Sequence, residues 1–165
     1  MNTKLIFKIG LLALCVSLLG GCGTVNSVMN LIGFKGTRLA WNEVVIDAAE
    51  GANQNSPVAV DIVFALEEAS IERLTALTAS KWFSTRADLQ RTFPGTISYK
   101  SWELTPRQTL RLPGSTFGSP NVVAVFVFAD YLAPGEHRVR VEQLQNGIIV
   151  QLGTRGFSVG ANKAE

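Results

Sequence analysis

The chain has 165 residues, with 15 Lys and Arg against 13 Asp and Glu and a single histidine, His137. That length holds one ordinary domain. So even a balance offers no excess of cations for a nucleic-acid backbone, and one histidine cannot by itself make a zinc site.

The chain opens with a secretory layout. Lys4 and Lys8 give a positive start, residues 11–19 form an uncharged, largely apolar run, and Gly20-Gly21 leads into Cys22. An apolar core of that length fits a signal peptide and is short for a membrane span. Leu19-Gly20-Gly21-Cys22 resembles the lipobox of bacterial lipoproteins, in which the cysteine thiol is acylated and the chain is cut just before it. Cys15 follows bulky Leu14 and does not fit that pattern. Ordinary signal cleavage beside a leftover cysteine is the alternative. The expectation is therefore a signal peptide over 1–21, lipidation at Cys22 and a lipidated tether over 22–36. Gly23 stands where retained lipoproteins often carry Asp, so the resemblance implies sorting to the outer membrane, facing the periplasm.

Residues 1–21 hold two of the 15 cations and no acid, which leaves 13 of each sign in the remainder. A neutral protein has no electrostatic hold on a membrane, so the lipid must anchor it, at about 0.8 kcal/mol per buried methylene. With Cys15 removed and Cys22 acylated, no disulfide, cysteine metal site or thiol nucleophile remains.

Beyond the tether, residues 37–48 read as the first strand: Leu39 and Trp41 alternate with Arg38 and Ala40, and Asn42-Glu43 interrupts the alternation as a candidate bulge. Gly51, Ala52, Asn53, Gln54, Asn55, Ser56 and Pro57 are turn formers and predict an exposed loop. Residues 58–66 alternate cleanly, with Val58, Val60, Ile62 and Phe64 on one face and Ala59, Asp61 and Val63 on the other. The period then becomes helical. Ile71, Leu74 and Leu77 mark one helix that Glu68 or Ser70 can open, and a second is expected over 80–91. There Trp82, Phe83 and Leu89 are apolar while Lys81, Arg86, Asp88 and Arg91 point outward. Trp82 and Phe83 are read as core in preference to a binding surface.

From Thr96 the pattern is β again. Ile97 and Tyr99, with Trp102 as a further candidate, form one strand, and residues 109–112 form a short one. Residues 121–132 contain the most apolar run after the leader, expected to be a central strand buried on both faces with Val123, Val125, Phe126 and Phe128 in the core. Residues 137–144 alternate, and Asn146-Gly147 predicts a type I′ hairpin to a strand over 148–152. A last short strand is expected at 156–159 and a disordered tail at 160–165. About seven strands at regular spacing, with one helical insertion after the second strand, read as a mainly β sandwich of the immunoglobulin-like kind over 37–159.

The sequence contains no G-x-S-x-G, P-loop, G-x-G-x-x-G or H-E-x-x-H. Glu67-Glu68 is better explained as a solvated helix start than as a glycosidase pair, and His137 beside a turn as a surface histidine. The reading is of a binding or assembly component and not an enzyme, with no cofactor, no metal, no nucleic acid and no small-molecule substrate.

Several stretches together resemble one family. These are the lipobox, a first strand running into an Asn-rich loop, Ser56-Pro57-Val58 entering an alternating strand, a helical segment, Leu104-Thr105-Pro106, and the late apolar strand over 122–129. The chain is similar to the outer-membrane lipoproteins of bacterial type VI secretion systems, the TssJ (SciN) family. It departs from them in its Gly51-Ala52-Asn53-Gln54-Asn55 loop, in Arg107-Gln108, and in the segment over 71–83. The resemblance implies a transthyretin-like sandwich tethered to the outer membrane that binds the periplasmic part of the inner-membrane TssM protein. The expected partner surface is the loop 51–57, whose uncharged polar side chains suit an interface and which the resemblance also implicates in the TssM contact, with the helical segment as second choice. The alternative is an unrelated periplasmic lipoprotein serving as a binding module of another envelope assembly.

Overall fold

The computed structural model describes residues 36–162. The expected signal peptide, Cys22, the tether up to residue 35 and the last three residues lie outside that range. In chain order the strands are β1 (Thr37–Arg38), β2 (Ala40–Ala48), β3 (Val58–Ala65), β4 (Ile97–Leu104), β5 (Thr109–Pro113), β6 (Asn121–Val122), β7 (Ala124–Asp130), β8 (Arg138–Val141), β9 (Gln145–Leu152) and β10 (Phe157–Ala161). Helices α1 (Ala69–Thr75) and α2 (Ala79–Thr92) lie between β3 and β4. One four-stranded sheet has the order β10-β9-β2-β5, the other β4-β3-β7-β8, and β1 pairs with β6.

Period-2 alternation places the core. β3 turns Val58, Val60, Ile62 and Phe64 towards the other sheet, where they join Val44, Ile46, Ile148, Val150 and Leu152. Its other face gives Val63 and Ala65 to a second core beneath the helices, with Leu74, Ala79 and Trp82. β7 does the same: Val125, Val127 and Ala129 face the sandwich, while Ala124, Phe126 and Phe128 face the helices. Each fully buried side chain of this size contributes about 1.5–3 kcal/mol. The architecture is thus a β-sandwich with a helical layer on one sheet. Val123 departs from the expected burial and is half-buried. The long apolar run breaks at this residue: β6 pairs with β1, whereas β7 pairs with β3.

The helices form where the period changed, with different ends. Neither Glu68 nor Ser70 caps α1 through its side chain; Ser70 is buried, and its hydroxyl donates to the Thr96 carbonyl at 3.1 Å. Thr78 caps α2 by accepting the Lys81 amide at 3.3 Å. Trp82 is fully buried and stacks on Phe128 at 5.2 Å between ring centroids. Arg86, expected to point outward, instead reaches Asp61 at 2.5 Å. The helices cover the second face of β3, so Asp61 is completely buried and needs a cation.

The hairpin expected at Asn146-Gly147 is absent. β8 pairs with β7, while β9 begins at Gln145 in the other sheet and pairs parallel with β2 and antiparallel with β10. The positive φ angles of Asn146 and Gly147, 63° and 139°, do occur, but they serve a close approach within the sheet. Trp41 pairs with Asn146 and Glu43 with Gly147, leaving Asn42 as the extra residue of a bulge at the expected place. A Cβ on Gly147 would lie 1.9 Å from the Glu43 carbonyl oxygen, so the crossing requires glycine. The C-terminal boundary also moves. β10 runs on to Ala161, paired with Ile148, and the Asn162 amide donates to the Gly147 carbonyl at 3.0 Å. Backbone pairing orders Gly160 and Ala161 although their side chains carry no strand signal.

Candidate partner-binding site

The loop after β2 is a tight left-handed turn. Asn53, Gln54 and Asn55 take φ values of 47°, 58° and 62° in succession. Non-glycine residues there cost about 1–2 kcal/mol each, and asparagine tolerates the region best. The turn persists because Asn53 is tied down on three sides. Its side-chain nitrogen donates to the Pro57 carbonyl at 2.7 Å, and its side-chain oxygen accepts the Leu132 amide at 2.8 Å. Its backbone amide donates to the Gly153 carbonyl at 3.1 Å, and Gln54 continues the run to Thr154.

Asn53 is therefore a buried clamp and not a free contact residue, as is Ala52 beneath it. The expectation of a wholly exposed loop fails for these two. A carboxamide can satisfy a donor and an acceptor at once, and here it joins two loops. Gly51 and Ser56 are half-buried, and Gln54, Asn55 and Pro57 face solvent.

Three further loops meet this one. In the β7–β8 loop, Tyr131 donates its hydroxyl to the Gly156 carbonyl at 2.8 Å and lies between His137 and Phe157, with ring centroids at 4.8 and 6.4 Å. His137 is half-buried, and its Nε2–H donates to the Ala133 carbonyl at 2.7 Å, closing that loop. Leu132, next to Tyr131 in the chain, is 66% exposed, the one large apolar side chain so exposed among the described residues. The β9–β10 loop supplies Gly153 and Thr154. The β4–β5 turn brings Arg107, which pairs with Glu50, and Gln108, whose side chain accepts the Thr105 amide at 3.0 Å. Glu67 and Glu68 are exposed at the start of α1, away from this group of loops in the chain and fitting the solvated role expected of them.

Burial pushes the Tyr131 hydroxyl from its ordinary 10.0 up to about 12. The folded state thus holds this proton more tightly than the unfolded chain. The resulting stabilisation is complete below pH 10 and is lost as pH rises towards about 12. Melting temperature followed from pH 9 to 12 should fall more steeply in the native protein than in Tyr131→Phe. Parallel curves would place that hydroxyl in solvent.

No protein-family model matches the sequence, and no curated protein matches it. Solved structures do. The type VI secretion lipoprotein TssJ1 from Pseudomonas aeruginosa matches over 78% of this chain and 100% of its own, at 14% identity and a TM-score of 0.55. The fold is that of TssJ1. A chain of a type VI membrane complex matches over 72% of this chain and 95% of its own, with 18% identity and a TM-score of 0.53. A chain in the structure of the T6SS protein TssM C-terminal domain (869-1107) from EAEC matches over 73% and 98%, with 16% identity and a TM-score of 0.51. At such identities the likeness is one of fold, and it is the β-sandwich that alternation had predicted. Leu132 ends an apolar run whose composition predicts a strand throughout. Charged Asp130 and Pro134-Gly135 bracket the segment where the strand ends and the chain bends.

Proposed function

We propose that this chain is a lipid-anchored component of a type VI secretion membrane complex. It is held in the outer membrane through Cys22, faces the periplasm, and binds the periplasmic part of a TssM-like inner-membrane protein. The observation that carries the reading is one fold shared with TssJ1, in a chain whose leader ends in a lipobox-like Leu19-Gly20-Gly21-Cys22. Neither feature alone has this force: many lipoproteins carry a lipobox, and many sandwiches have unrelated roles. The likeness to a chain from a TssM C-terminal domain structure supports the choice of partner.

The contact surface is assigned to the loop 51–57 through Gln54, Asn55 and Pro57, with Gly51, Ala52, Asn53 and Ser56 shaping it. A rigid scaffold presenting uncharged hydrogen-bonding groups on a loop suits a polar interface. The role is assembly and uses no metal, cofactor or small-molecule substrate.

Two measurements test it. Cys22→Ser should abolish incorporation of labelled palmitate, and continued labelling would overturn the anchor. The mature lipoprotein in detergent should bind the periplasmic fragment of the cell's TssM-like protein in calorimetry. Anchoring without such binding would assign the chain to another envelope assembly.

A further inference from the structure

We infer that Leu132 is the apolar anchor of this binding end and that Asn53 is the residue that positions it. The loops 51–57 and 131–134 then act as one contact surface. This deepens the partner reading above and rests on it.

Three observations meet at Leu132. Its side chain is 66% exposed, whereas the other large apolar side chains of the described residues are at least partly covered. It is also held still. The Asn53 carboxamide, in a residue only 2% exposed, accepts the Leu132 amide. Tyr131 before it is fixed through Gly156, and Ala133 after it through His137. A mobile leucine could fold back onto the domain; one held on both sides stays in water until a partner covers it. Such a preorganised knob loses little freedom on binding.

The surroundings complete the arrangement. Gln54, Asn55, Pro57 and Pro134 are exposed and uncharged, and the same loops carry exposed charge at Asp130, Glu136, Arg155 and the Glu50–Arg107 pair. An exposed apolar side chain among amide-bearing and charged groups is the composition of a protein–protein contact. Beside the knob, Ala79, Ser80, Asp130, Tyr131, Pro134 and His137 line a cleft of about 250 Å³ that can receive a side chain in return. The occupant is therefore a folded protein surface with an uncharged pocket for one leucine and amide groups to meet Gln54 and Asn55. A bilayer is the poorer match, because interfacial binding draws on aromatic and clustered basic side chains, which this tip does not present.

The left-handed turn has its explanation here too. Three consecutive residues in that region are not needed to join β2 to β3. They place the Asn53 side chain where it spans from Pro57 to the Leu132 amide. Strain retained at a rigid surface loop is commonly coupled to what the loop must hold.

The test uses the mature lipoprotein in detergent and the periplasmic fragment of its TssM-like protein. Leu132→Ser should weaken binding about 10- to 100-fold, the loss expected for one buried leucine, and leave the melting temperature unchanged. Asn53→Ala should lower the melting temperature and also weaken binding, and its effect on binding should shrink when Leu132 is already serine. That coupling separates a positioning residue from a merely structural one. If the native protein binds and Leu132→Ser binds equally well, the anchor is overturned while the partner reading stands. If the native protein fails to bind, the partner reading falls and the anchor with it. Flotation of full-length Cys22→Ser protein with phosphatidylethanolamine–phosphatidylglycerol vesicles provides the last arm. Flotation that depends on Leu132 would assign the knob to the membrane and overturn the inference; its absence supports the protein partner.

Discussion

Trp82→Ala should destabilise the domain by about 3–5 kcal/mol, through lost burial and the cavity left behind. Trp82 is the largest fully buried side chain among the described residues, wedged between α2 and the second face of the β4-β3-β7-β8 sheet. Its indole stacks on Phe128 and meets Tyr99 edge-on, at 5.2 and 5.4 Å between centroids. Its Nε1–H donates to Asp61 Oδ2 at 2.8 Å, so alanine would also strip a buried carboxylate of one of its two donors to that oxygen. Urea unfolding of Trp82→Ala against Lys81→Ala, an exposed neighbour on the same helix, measures the difference. The lysine variant should change stability by no more than about 0.5 kcal/mol. If the two variants unfolded alike, the helices would not share a core with the sheet.

Where one physical rule governs a stretch, the sequence was readable. β3 and β7 were legible because alternation in the one and continuous apolarity in the other leave no second way to bury Val60, Ile62, Val125 and Phe126. The helices were legible from the spacing of Ile71 and Leu74. Features set by distant partners were not. Asn146-Gly147 carries the dihedral angles that its composition advertises, but whether they make a hairpin or a crossing depends on where β2 lies. Alternation puts Asp61 on the face opposite Val60 and Ile62, and only the later helices cover it.

The candidate site shows the same division. The turn formers of the loop 51–57 announced a turn, and the positive φ angles of Asn53, Gln54 and Asn55 came with the structure. Composition could not separate Asn53, whose side chain is consumed inside the fold, from Asn55, whose side chain faces solvent. That distinction rests on the Leu132 amide, 79 residues away in the chain. Leu132 itself was hidden by its own hydrophobicity, because an apolar residue at the end of an apolar run is ordinarily core.

The second large effect expected is at Arg86, and it separates charge from packing. Arg86→Met keeps an unbranched stem to lie across Phe83 and Tyr99, where the guanidinium now sits 4.9 and 5.3 Å from the ring centroids. It removes the cation from Asp61, whose side chain is fully buried and whose Oδ1 has no hydrogen-bond partner among the described residues. Breaking a fully buried ion pair from one side costs about 3–5 kcal/mol. Arg86 is 30% exposed, so water screens part of the interaction, and a loss of about 2–4 kcal/mol is expected. Asp61→Asn placed on top of Arg86→Met should then recover stability, because the neutral amide still accepts from Trp82 without a buried charge to compensate. Urea midpoints of the two single variants and the double variant decide the matter. A double variant more stable than Arg86→Met shows that the stranded carboxylate caused the loss; strictly additive losses would show that Arg86 acts through packing alone.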